Sequence, residues 1–169
     1  ESSAASDVYK RQPWNSDDVY IQYNEVCHGL YGNDAQGIEI DALNDRNYVQ
    51  YNYVHDNTGG FIQWCTLYGY ATYDSHYRYN ISEDDGQGYG TLTLFNYTFD
   101  CSAYNNTVFI DDTVTNKFIN VNSLTDNSSI EIYNNIFYKG GNPYTINKNQ
   151  KPADTTLDAL FDRSSLHWD

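Results

Sequence analysis

The sequence predicts an all-β fold, a parallel β-helix (solenoid) of about five coils, and three observations lead there. The first is a repeat. The segments Ile21-Gln-Tyr-Asn24-Glu-Val26, Val49-Gln-Tyr-Asn52-Tyr-Val54, Tyr77-Arg-Tyr-Asn80-Ile-Ser82, Ala103-Tyr-Asn-Asn106-Thr-Val108 and Ile132-Tyr-Asn-Asn135-Ile-Phe137 align on one asparagine, at spacings of 28, 28, 26 and 29 residues. Self-similarity at a near-constant period marks stacked units that bury a shared core against their neighbours. The second is alternation. An apolar residue stands three positions before each marker and, Ser82 excepted, another two after it, which reads as strand, sharp bend, strand. The third is composition. With 18 Tyr, 20 Asn, 11 Gly and only 3 Pro, the chain suits short strands joined by polar turns and is too aromatic for disorder.

Later in each unit a second alternating strand recurs, usually after a glycine: Gly37-Ile-Glu-Ile-Asp41, Gly60-Phe-Ile-Gln-Trp64, Gly90-Thr-Leu-Thr-Leu94 and, without the glycine, Phe118-Ile-Asn-Val121. Each unit thus carries three short strands and returns to its start. Rungs of such a coil lie ~4.8 Å apart, so the marker asparagines are expected to stack and hydrogen-bond along the axis. A β-sandwich also has short strands, but nothing in it calls for Tyr-Asn at a fixed period. No helical pattern precedes the tail, where Thr155–Phe161 could form a turn or two.

Residues 2–12 (SSAASDVYKRQ) resemble the in-frame translation of a transposase adapter used in short-read sequencing libraries. Residues 1–12 are therefore set apart from the fold, leaving 13–169 as the β-helix segment. Ser165-Leu-His-Trp-Asp169 reads as the opening strand of a further coil, so the solenoid is expected to be truncated at both ends.

Nine Lys and Arg face 23 Asp and Glu, a net charge of −14. That balance disfavours polyanionic partners, nucleic acid and anionic membrane alike. No apolar run approaches the ~20 residues of a spanning helix. Three cysteines fall at different places in their coils, without metal-type spacing, so free thiols are expected.

The segments Val49–Ile62 (VQYNYVHDNTGGFI), Tyr79–Thr91 (YNISEDDGQGYGT) and Ile132–Tyr138 (IYNNIFY) resemble the right-handed parallel β-helix repeats of secreted bacterial proteins in the pectate-lyase-like group. The resemblance covers roughly residues 17–138. It implies a right-handed coil, an extracellular or cell-surface location and a carbohydrate-active role, while the fold itself hosts hydrolases, lyases and non-catalytic stalks. The Arg base of the group's lyases and the Asn-Thr-Asp, Asp-Asp, His-Gly and Arg-Ile-Lys blocks of its polygalacturonases are missing. An acidic chain fits a neutral polysaccharide better than a polyanionic one.

Candidate site residues follow from which side each residue faces. With Ile38 and Ile40 inward, Glu39 and Asp41 project outward ~7 Å apart. That lies within the separation of an inverting glycosidase's acid and base. Phe61 and Gln63, then Thr93, then Asn120 are expected on the same face of neighbouring rungs, an aromatic among polar groups suited to a sugar. The loop after the marker strand gathers His28, Asp34, His55, Asp56, Glu83, Asp84, Asp85, Asp111 and Asp112. Stacked acids either raise a carboxyl pKa or recruit a hard cation such as Ca²⁺, although turns favour Asp without chemistry. His55-Asp56, ahead of Gly59-Gly60, is the sharpest cluster. The expected enzyme hydrolyses a glycosidic bond with catalytic Glu39, Asp41, His55 and Asp56, with Phe61, Gln63, Asp84, Asp85, Thr93 and Asn120 binding the glycan. The alternatives are a non-catalytic glycan-binding or surface-stalk β-helix and a polysaccharide lyase.

Overall fold

The computed structural model describes residues 12–30, 35–66, 69–87, 90–95, 97–111, 117–121, 128–140, 145–147 and 165–166. The adapter-like residues 1–11 and the 155–161 tail lie outside them, as do Asp34 and Asp112. Strands follow one another as β1 (Tyr20–Gln22), β2 (Glu25–Cys27), β3 (Asn44–Asp45), β4 (Tyr48–Gln50), β5 (Tyr53–His55) and β6 (Ile62–Gln63). The next coils contribute β7 (Thr72–Tyr73), β8 (His76–Arg78), β9 (Ile81–Glu83), β10 (Leu92–Leu94), β11 (Thr98–Phe99), β12 (Cys101–Tyr104) and β13 (Thr107–Ile110). Then come β14 (Lys117–Val121), β15 (Ile130–Tyr133), β16 (Ile136–Lys139), β17 (Thr145–Asn147) and β18 (Ser165–Leu166).

Each strand pairs, in parallel, with its counterpart one coil away, giving the orders β1-β4-β8-β12-β15, β2-β5-β9-β13-β16-β18, β6-β10-β14-β17 and β3-β7-β11. The chain is a parallel β-solenoid, as the repeat predicts. The unit carries one more strand than expected: the two-residue rungs β3, β7 and β11 make a short sheet of their own. No described helix is long and apolar enough to cross a membrane.

The corner between the first two sheets is built by a two-residue device. Tyr23, Tyr51, Tyr79, Asn105 and Asn134 all sit at φ between 53 and 57°, a left-handed conformation that turns the strand through a sharp bend. The asparagine after each then locks the bend. Asn24 Nδ2 donates to Asn52 Oδ1 at 2.9 Å, Asn52 to Asn80 at 3.0 Å, Asn80 to Asn106 at 2.9 Å and Asn106 to Asn135 at 2.9 Å. Every acceptor oxygen also takes the backbone N–H of the preceding asparagine. Polar groups forced into the interior are thereby satisfied. A second, shorter column runs from the Gly29 amide through Asn57 to Asp85.

Inside, Val49, Tyr77, Ala103 and Ile132 stack in register with a small residue beside the largest. Tyr77 is wholly buried in the core, edge-on to Trp64 at 5.2 Å, and its hydroxyl donates to the Gln63 carbonyl at 2.7 Å and accepts from the Ile40 amide at 3.1 Å. Burial pushes its phenol far above the ordinary range. Outside, tyrosines stack: Tyr23, Tyr51 and Tyr79 at 5.5 and 5.3 Å, and Tyr104 on Tyr133 at 5.0 Å.

Candidate functional site

The sequence-derived residues fall into two groups on different sheets. The first is the column Glu39, Gln63, Thr93, Asn120 on the sheet of β6, β10 and β14. The Ile40–Trp64 bridge and the pairings of Gln63 with Thr93 and of Thr93 with Asn120 set it. Ile38 and Ile40 point inward as expected, with neither side chain exposed. The opposite face is not open. Glu39 is 1% exposed and Asp41 4%, and Gln63, Thr93 and Asn120 are buried too. This sheet is covered on both sides, so the outward groove expected here is absent among the described residues. Phe61 departs further: it lies in the core, edge-on to Tyr77 at 5.9 Å, because it precedes β6 and its N–H and that of Ile62 both donate to the Thr91 carbonyl, which breaks the alternation there.

Within this column Gln36 Nε2 donates to Gln63 Oε1 at 3.0 Å and Gln63 Nε2 to Glu39 Oε1 at 2.8 Å. One ligand atom each of Glu39, Asp41 and Cys65 lie within 4.8 Å of one another. One oxygen of each carboxylate is thus closer to the other than the ~7 Å expected from strand spacing. Glu, Asp and a thiol do not suit Ca²⁺, which takes six to eight hard oxygens.

The second group stands on the outer face of β2, β5 and β9. His55 Nδ1 contacts Asp56 Oδ2 at 2.8 Å and its Nε2 contacts Glu25 Oε1 at 3.2 Å, so two carboxylates bracket one imidazole. Register does this: Glu25 sits beside Tyr53 and Cys27 beside His55 beside Glu83. The ring stacks on Tyr53 at 4.3 Å, and the Tyr53 hydroxyl donates to Glu83 Oε2. Glu25 and Asp56 are about half exposed, at 59% and 47%, so this group meets solvent. Sequence reading singles out His55 and Asp56 but not Glu25 or Tyr53. The signal that finds them is the 28-residue offset between β2 and β5.

Desolvation pulls the His55 pKa down, but the bonds to Asp56 and Glu25 outweigh it and hold it above the ordinary value. At His76 desolvation wins over the bond to Asp74, and its pKa is lowered. The two imidazoles should therefore titrate on opposite sides of ~6.5. A proton NMR titration will show His55 losing its proton at the higher pH, and Asp56→Asn will bring it down. Coincident titrations would contradict the bracketed geometry.

The remaining loop acids do not gather into an open cation site among the described residues. Asp84 Oδ1 accepts the Asp111 amide at 2.6 Å, and burial raises its carboxyl. Asp85 is a correction to the expected rim: it is fully buried, as a rung of the Asn57 column. None of the cysteines forms a disulfide; Cys65 and Cys101 are buried, and burial pushes the Cys101 thiol up to about 12.

The fold and site define an all-β parallel solenoid bearing a buried carboxylate pair on one sheet and an exposed acid–imidazole–acid group on another. Over 122 residues, 69% of this chain, the sequence is 35% identical to a lacto-N-biosidase of Bifidobacterium longum subsp. longum; the chain spans 7% of that protein's length. No family model matches the chain, and no solved structure matches it.

Proposed function

We propose that this chain is the solenoid segment of an extracellular carbohydrate-active protein that hydrolyses a glycosidic bond in a neutral or weakly charged glycan. One observation carries the reading: two solvent-accessible carboxylates bracket a largely buried imidazole. Glycosidic cleavage needs a proton donor for the leaving oxygen and a carboxylate to activate water or capture the sugar. His55, held above its ordinary pKa, is poised to donate. Asp56 orients its ring, and Glu25 supplies the second carboxylate. The similarity to a protein named for a biosidase supports a glycan substrate, and the charge of −14 favours one that is not a polyanion.

A second assignment of the same chemistry uses Glu39 and Asp41, favoured by their approach to within 4.8 Å. It requires their cover to lift. One experiment separates these readings. The chain is incubated with a panel of oligo- and polysaccharides while new reducing ends and unsaturated sugars are both recorded. His55→Gln and Glu25→Gln should each lower hydrolysis by about 10²-fold or more, with Glu39→Gln and Asp41→Asn retaining it. Loss confined to the latter pair would move the chemistry to the buried column. Unsaturated products would establish a lyase. Binding without products would leave a glycan-binding module.

A further inference from the structure

Cations are scarce in this chain, and the two arginines of the described coils are treated differently. Arg46 is conventionally paired: Nε and Nη2 donate to the two oxygens of Asp18 at 2.8 and 3.0 Å, and Nη1 meets Asp45. Arg78, on β8, has no carboxylate partner among the described residues. Its Nε donates to Gln50 Oε1 at 2.7 Å and its Nη1 to the Tyr104 hydroxyl at 3.0 Å, while its central carbon lies 4.5 Å over the Tyr48 ring. Three neutral partners from the two flanking coils thus fix the guanidinium, and no carboxylate among the described residues cancels its charge in a chain with 23 Asp and Glu. A glutamate at position 50 would have paired it. The sequence places glutamine there and at 22, whose Oε1 accepts from Gln50 Nε2 at 2.7 Å.

The geometry points to Arg78 as the anchor of a ligand-binding site for a single sugar carboxylate, a further subsite on the carbohydrate reading and dependent on it. A guanidinium offers five N–H groups in a planar fork matched to carboxylate, and only Nε and Nη1 meet acceptors among the described residues. The side chain is half-buried, so a bound carboxylate would be only partly screened. Around it stand polar-edged rings suited to sugar hydroxyls: Tyr104 stacks on Tyr133, and Tyr79 meets Tyr104 edge-on at 6.0 Å. One fixed cation in an acidic surface selects one anionic sugar within an otherwise neutral chain, since a polyanion is repelled by the whole molecule.

The test titrates the 169-residue chain by NMR with methyl β-glucuronide, its neutral twin methyl β-glucoside, and acetate, in the wild type, Arg78→Gln and Arg78→Lys. The glucuronide should bind about tenfold more tightly than the glucoside, the scale of one charge-assisted pair. Arg78→Gln should abolish that preference while leaving amide dispersion and glucoside affinity unchanged. Arg78→Lys should restore part of it, because the charge returns without the fork. Equal affinities, or a preference that survives Arg78→Gln, overturn the site and leave the carbohydrate reading intact. Acetate shifting the Tyr104 signals while neither glycoside binds keeps the anion site and sinks the sugar. No ligand shifting those signals overturns it outright.

Discussion

Replacing Asp85 by asparagine will stabilise the chain at pH 8 and leave its stability nearly unchanged at about pH 4. Asp85 occupies the place of an asparagine in the column above it. Its Oδ1 accepts from the Asn57 amide and from Asn57 Nδ2 at 3.1 and 2.7 Å, and its Oδ2 accepts from the Ser82 hydroxyl at 2.7 Å. Burial raises its carboxyl to about 7, against the lowering effect of those bonds and of nearby His55. Cys27, whose own thiol is raised in part by the Asp85 charge, stands near the same position. The folded chain therefore keeps a proton that the unfolded chain releases at ~4. Stability is full below that value and falls as pH rises towards the folded pKa. Some three pKa units correspond to a loss of about 4 kcal/mol above pH 7. Asparagine removes the charge and can donate to the Ser82 hydroxyl instead. Thermal unfolding of both proteins at the two pH values decides the matter, and a difference independent of pH would show that the carboxyl carries no such penalty.

Asn80→Ala should be far more damaging than Asn24→Ala. Asn80 sits mid-column: its Oδ1 accepts two bonds from Asn52, and its Nδ2 donates to Val49 O and Asn106 Oδ1 at 2.9 Å each. Truncation strands the Asn52 donors and the Val49 carbonyl in the interior, at about 1–3 kcal/mol per buried group. A total on the order of 4 kcal/mol takes a large share of an ordinary domain's stability. Asn24, at the end of the column, donates only to Gln22 O and Asn52 Oδ1 and should cost about 1 kcal/mol. Urea midpoints will rank the two, and equal losses would mean that the column does not act through its interior bonds.

The period was legible because the bend that makes a coil demands one residue type at one place, and a fivefold recurrence of Asn is hard to produce otherwise. The inward pair Ile38 and Ile40 followed from alternation alone. Alternation failed at Glu39, Asp41 and Gln63 because it tells the two faces of a strand apart without saying whether the second face is covered. It failed at Phe61 because the N–H groups of Phe61 and Ile62 both donate to the Thr91 carbonyl, an irregularity just before β6 that a two-residue period does not reveal. Asp85 read as a rim acid because Asp is at home in turns. Only its 28-residue distance from Asn57 marks it as a rung. The rungs β3, β7 and β11 were too short for any periodicity to show.

The asparagine column holds its bonds within 2.9 to 3.0 Å although successive markers are separated by 28, 28, 26 and 29 residues. The difference is absorbed between the strands, away from the bend. Evolution can accordingly splice residues into or out of the connecting segments of one coil without its neighbours registering the edit. Whole coils can be copied or dropped on the same terms, since each meets an identical seam. Such a chain separates two duties: a seam that assembles the coils, and a margin that can vary without disturbing it.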